Sequence, residues 1–100
     1  MTRAERDKGA RGEREVAALL REHGWTVRGL EGSGDHLASR NGLTLHVEAK
    51  RQETTRPWAW WAQAVEDAPS GTLPVVAFRR SRSEWLAIVR LDAAAELLQL

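Results

Sequence analysis

Residues 41–51, NGLTLHVEAKR, decide how the fold is read. Leu43, Leu45, Val47 and Ala49 alternate with Thr44, His46, Glu48 and Lys50. A period of two is strand spacing, so 43–50 is expected to set an apolar face on the core and to carry a polar face opposite. Asn41-Gly42 just before it is a two-residue hairpin signal, since both residues tolerate the left-handed backbone of a type I′ turn. The strand before the turn is then DHLAS, 35–39. Such a hairpin returns the Asp35 end of one strand to the Glu48 end of the next. Asp35, Glu48 and Lys50 are therefore expected to converge, with Glu48 and Lys50 on the same face.

Working outward, 7–23 reads as a helix, with Gly24 as the residue that ends it and His23 in its last turn. Glu13 shares the stripe of Val16, Ala17 and Leu20, a costly place for a carboxylate unless it has a partner or reaches water. WTVRGL, 25–30, reads as a strand, followed by the glycine-rich loop EGSGD. PWAWWAQAVEDA, 57–68, reads as a helix with Pro57 in its first turn. Trp58, Trp61, Ala62 and Val65 make its apolar face, which leaves Trp60 near the surface, available to a dimer interface. PVVAFR, 74–79, and WLAIVRL, 85–91, are strands, and Asp92 is positioned to cap a short final helix. The order αβββαββα is that of an α/β protein. A chain of 100 residues accommodates one domain, 1–100.

Composition excludes several classes. With no cysteine there is no disulfide framework and no thiolate metal site. No apolar run approaches the roughly 20 residues that span a bilayer, and the first fifteen residues are too charged for a signal peptide. A cytoplasmic location is expected, the host cytoplasm if the gene is viral, with no membrane partner and no nucleotide cofactor. Net charge is only +1, but the basic residues are clustered. Arg3, Arg6, Lys8 and Arg11 crowd the N-terminus, Arg51 and Arg56 lie at and just beyond the end of the opening motif, and Arg79, Arg80 and Arg82 form a third group. These nine are the candidate phosphate contacts. Lysine occurs only at 8 and 50, the other thirteen basic residues being arginine, and that scarcity draws attention to Lys50.

Two acids and a lysine at a hairpin base are suited to phosphodiester hydrolysis. Mg²⁺ takes hard oxygen ligands, one or two of them carboxylates. Asp35 and Glu48 supply these, and the carbonyl of Ala49 is a third candidate oxygen. Lys50 is placed to orient an attacking water or to stabilise charge developing on phosphorus. Glu13 is the candidate that completes the metal shell, directly or through water. His36 and His46 read as surface or partly satisfied imidazoles rather than as a metal pair, and Gln63 as either a solvated residue or one reaching the site.

The chain resembles the archaeal and phage type of Holliday junction resolvase, within the PD-(D/E)xK nuclease superfamily. The resemblance runs in order through KGARGERE (8–15), HGWTVRGLEGSGD (23–35) and HVEAKR (46–51), nearly half of the chain. It implies a restriction-endonuclease-like core, a mixed sheet of about five strands flanked by helices. It further implies Glu13 as the helix-borne acid, Asp35 and Glu48 as metal ligands, Lys50 as the catalytic lysine, and Ser33 in a loop approaching the scissile strand. Homodimers acting on four-way DNA junctions with Mg²⁺ or Mn²⁺ follow from the same likeness. One departure is Gly34, where the family's pattern has proline. No other acid lies between Gly34 and Glu48, so Asp35 keeps its assignment. Two other readings stay open: a restriction- or repair-type endonuclease of the same fold, and a DNA-binding module without chemistry.

Overall fold

The structure, a computed structural model, describes residues 2–30 and 34–98, with the backbone alone for residues 4–8. In chain order it contains α1 (Arg3–Glu22), β1 (Thr26–Gly29), β2 (His36–Arg40), β3 (Leu43–Arg51), α2 (Pro57–Asp67), β4 (Leu73–Arg79), β5 (Leu86–Ile88) and α3 (Leu91–Leu97). The five strands form one mixed sheet in the order β1-β2-β3-β4-β5. All neighbours are antiparallel except β3 and β4, whose parallel pairing needs a crossover, and α2 supplies it.

Three local devices set this arrangement. Asn41 and Gly42 both have positive φ, 50° and 81°, so the β2–β3 turn is of type I′ and fixes the register Arg40↔Leu43 through His36↔Val47. Helix α1 closes with paired bonds from Trp25 N–H to the Leu20 carbonyl and from Gly24 N–H to that of Arg21, the Schellman arrangement. His23 Nδ1 lies 2.9 Å from the Leu19 carbonyl, against the unpaired end of the same helix. Several bounds differ from expectation. Helix α1 begins at Arg3 rather than residue 7, and β5 keeps only three residues of the expected 85–91. Helix α3 has Arg90 at its N-cap with no side-chain cap, while Asp92 sits inside the first turn, bonded to the Ala93 N–H and to Arg90.

The strand period divides the core into two layers. Val16 and Ala17 of α1 pack on Val27, Ala38, Leu45, Val47, Val75 and Ala77. On the other face Trp60 and Ala64 of α2 pack on Val76, with Phe78 and Ile88 beside them. The polar face of β3 is therefore not a solvated face. It lies on the α2 side, where His46 is 2% and Glu48 4% exposed.

The expected face of α2 is reversed. Trp60 is buried at 6% exposure, while Trp58 is 84% and Val65 51% exposed. The sheet-facing stripe is Trp60, Gln63, Ala64 and Asp67, spaced i, i+3, i+4 and i+7. That half-polar stripe fits the half-polar face it covers: its indole meets Val76 and Phe78, and its polar end meets Glu48. Trp60 is thus unavailable to a dimer interface. Trp60→Ala is expected to cost about 3–5 kcal/mol in a denaturant titration, and Trp58→Ala under about 0.5 kcal/mol. Equal losses from the two would refute this packing.

Candidate active site

Beyond its last partner in β2, Val47, strand β3 continues to Arg51 paired with β4 alone. Gln52 N–H donates to the Arg79 carbonyl, so the backbone groups of even-numbered β3 residues point to β4 and those of odd-numbered ones to β2. The carbonyl of Ala49 consequently faces the β2 side, past the end of the ladder. Continuing the β2–β3 register by one residue sets Asp35 opposite Glu48.

An open cleft of about 750 Å³ lies here, lined by Leu30, Asp35, His46, Glu48, Lys50, Gln63 and Asp67. His46 Nε2 stands 3.3 Å from Asp35 Oδ2. Asp35, His46 and Glu48 each offer one ligand atom, all within 4.8 Å of one another. Gln63 Nε2 donates to both carboxylate oxygens of Asp67 at 2.9 Å, and Asp67 in turn shares a hydrogen bond with Glu48.

The electrostatics follow from burial and crowding. Burial pushes Glu48 up to about 7, helped by the hydrogen bond to Asp67 and by the charge of Asp35, with Lys50 opposing. Asp35 is also raised by burial, against the pull of His46. Asp67 is lowered by the hydrogen bonds from Gln63 and Glu48. A protonated Glu48 donating to an ionised Asp67 satisfies the shifts of both. Glu48 Oε1 is buried without a hydrogen-bond partner. A buried, unpaired carboxylate oxygen beside a second carboxylate and a carbonyl at a free strand edge fits a divalent cation.

Of the expected site residues, Asp35, Glu48 and Lys50 come together in the cleft, with the Ala49 carbonyl on the strand edge beside it. Glu13 does not line it. It lies on the α1 side, its carboxylate against Gly34 and its carbonyl bonded to His36 Nε2 at 2.8 Å, so it braces the segment that carries Asp35. Ser33 and the side chains of Arg6 and Lys8 fall outside the described residues. Arg3, Arg11, Arg56, Arg80 and Arg82 are exposed. Two of the nine basic candidates are less available than expected. Arg79 pairs with Glu15 at 3.2 Å and lies over the Trp85 ring, and Arg51 is half-buried against Gly12 of α1.

Gly34 has φ +77°, and a methyl group there would collide with the Glu13 carboxylate. Proline cannot adopt that φ, which accounts for its absence. Gly34→Ala is expected to cost about 1–3 kcal/mol and, by displacing Asp35, to reduce activity further. Melting and turnover of the variant check both.

Sequence reasoning undervalued His46 and missed Asp67. The spacing 46/48/50 already put His46 on the face of Glu48 and Lys50. Asp67 stands at i+4 from Gln63 and i+7 from Trp60, on a stripe less apolar than 58/61/62/65.

A model of the family described as "Phage putative PDDEXK endonuclease" matches residues 4–99. Among solved structures the fold is similar to that of Hjc, a Holliday junction resolvase from the archaeal hyperthermophile Archaeoglobus fulgidus. The TM-score is 0.66 at 23% identity, over 79% of this chain and 73% of that one. No curated protein matches the chain.

Proposed function

We propose, from the premise that the chain belongs to the phage PDDEXK endonuclease family, that it is a single-domain, metal-dependent DNA endonuclease that cuts four-way junctions by paired symmetric nicks. The observation that carries this reading is the convergence of Asp35, Glu48 and Lys50 in one cleft, on a fold similar to that of a resolvase.

Asp35, Glu48 and the Ala49 carbonyl would hold Mg²⁺, with Mn²⁺ able to substitute. When bound, such an ion polarises a phosphoryl oxygen and makes a bound water easier to deprotonate. Lys50 donates hydrogen bonds to the attacking water or to the oxygen on which charge develops. Gln63 orients Asp67, and Asp67 holds Glu48 in place. Glu13 acts by positioning Asp35 through Gly34 and His36. Exposed arginines at 3, 11, 56, 80 and 82 engage phosphates by shape and charge. No helix among the described residues is long and apolar enough to cross a membrane, and the cytoplasm, where DNA is met, suits this activity.

A 100-residue chain that cuts two strands symmetrically works as a two-fold dimer. The apolar groove lined by Pro57, Trp58, Trp61, Ile88 and Val89, with Trp58 84% exposed, is the surface for it.

The test is Mg²⁺-dependent cleavage of a four-way junction beside a linear duplex. Paired symmetric nicks in the junction alone are expected. Equal cutting of the linear duplex would move the substrate to that of a restriction- or repair-type enzyme. No cutting of either, with binding intact, would leave a DNA-binding module.

A further inference from the structure

We infer that His46 is a direct ligand of the active-site cation, and that its nitrogen makes the site prefer Mn²⁺ to Mg²⁺. The inference rests on the metal-dependent nuclease reading above and adds a ligand to it.

Three observations carry it. His46 is 2% exposed on the cleft side of β3, two residues before Glu48 and on the same face. The oxygen of its neighbour on that face, Glu48 Oε1, is buried without a hydrogen-bond partner. A buried carboxylate oxygen is costly to leave unsatisfied, and a cation held by His46 Nε2 and Asp35 would satisfy it. Finally, His46 Nε2 stands 3.3 Å from Asp35 Oδ2, and one ligand atom from each of Asp35, His46 and Glu48 falls within 4.8 Å. An N–H···O hydrogen bond is usually about 2.7–3.2 Å, so this pair is loosely placed for one. Two neighbouring ligand atoms on an ion with bonds of about 2.1–2.2 Å lie about 3 Å apart, and two opposite ones about 4.3 Å. The 3.3 Å pair thus has the spacing of neighbouring ligands, and the 4.8 Å bound brings Glu48 within a small side-chain adjustment of the same ion.

The chemistry of the donor then sets the preference. Mg²⁺ gains little from imidazole, because it favours oxygen and keeps its waters. Transition-metal ions gain from a nitrogen donor, increasingly from Mn²⁺ through Fe²⁺ to Co²⁺. One imidazole with two carboxylates is therefore a better set for Mn²⁺ than two carboxylates and a carbonyl alone.

The experiment is a Mn²⁺ titration of the 100-residue chain followed by electron paramagnetic resonance, with Mg²⁺ as competitor, on wild type and His46→Gln. Wild type is expected to bind Mn²⁺ at least about tenfold more tightly than Mg²⁺. Pulsed measurements should show ¹⁴N coupling to bound Mn²⁺ that becomes ¹⁵N coupling when histidine is ¹⁵N-labelled. His46→Gln should weaken Mn²⁺ about 10–100-fold and Mg²⁺ by less than about threefold. The nitrogen signal is read in wild type, so it does not depend on the variant folding. Bound Mn²⁺ without nitrogen coupling overturns the inference. So does a folded His46→Gln variant with unchanged Mn²⁺ affinity, which would reduce His46 to a hydrogen-bond donor for Asp35. In either case, loss of Mn²⁺ from Asp35→Asn would leave the nuclease reading standing. Wild type that binds neither ion overturns both.

Discussion

Glu48→Gln is expected to melt about 10 °C higher than wild type at pH 8 in EDTA, and to lose cleavage by at least about a thousandfold. Glu48 titrates near 7 in the folded protein, above its ordinary 4.5, because it is buried, bonded to Asp67 and close to Asp35. The folded state thus holds this proton more tightly than the unfolded chain does. The stability linked to it is fully present below pH 4.5 and is lost as pH rises through 7. At pH 8 the bare carboxylate opposes folding by about 2–3 kcal/mol, a figure reduced for the water in the open cleft. Glutamine imitates the protonated acid, and its amide can still donate to Asp67, so it keeps the low-pH stability at every pH. The gain should vanish at pH 4. Cleavage is lost because an amide is a poor ligand for a hard dication. A melting temperature at pH 8 unchanged by the substitution would show that Glu48 is not a strained buried acid.

Lys50→Met should lower cleavage by about 10²–10³-fold and leave Mn²⁺ affinity and DNA binding within a few fold of wild type. Methionine keeps the apolar stem, so the half-buried position stays filled. The ammonium has two possible duties: to stabilise developing charge, or only to hold down the carboxyls of Asp35 and Glu48, which it opposes being raised. They are separable by pH. If Lys50 were only a counter-charge, its loss would raise Glu48 further, and alkaline conditions would restore the rate. Single-turnover rates from pH 7 to 9 that stay depressed support the direct role, and full recovery by pH 9 would remove it.

Much of the site was legible because the signals were local. The hairpin turn depends on the backbone freedom of two adjacent residues, Asn41 and Gly42. Strand alternation places Glu48 and Lys50 on one face whatever lies elsewhere. Together these juxtapose Asp35 with Glu48, an arithmetic of register that needs no tertiary information. The face of α2 was illegible for the opposite reason. Two stripes, 58/61/62/65 and 60/63/64/67, have equally good helical spacing, and the first is the more apolar. The choice between them depends on the partner surface. That surface is the polar face of β3, which favours a stripe ending in Gln63 and Asp67.

Glu13 shows the same division. Its place on the core-facing stripe of α1 was evident from spacing, as was its need for a partner. Only the packed structure sets its carboxylate against Gly34 and its backbone carbonyl on His36, outside the cleft, because α1 and α2 lie on opposite faces of the sheet.

By itself, then, the sequence determined the order of elements, the hairpin register and the meeting of Asp35, Glu48 and Lys50, all consequences of backbone preference and strand period within a short span. Tertiary structure alone decided which face of α2 is buried, that His46 and Asp67 join the cluster, and that Glu48 is a weak acid near 7. Those properties arise from desolvation and from contacts between segments distant in sequence, and they exist only once helix and sheet have closed over the strand.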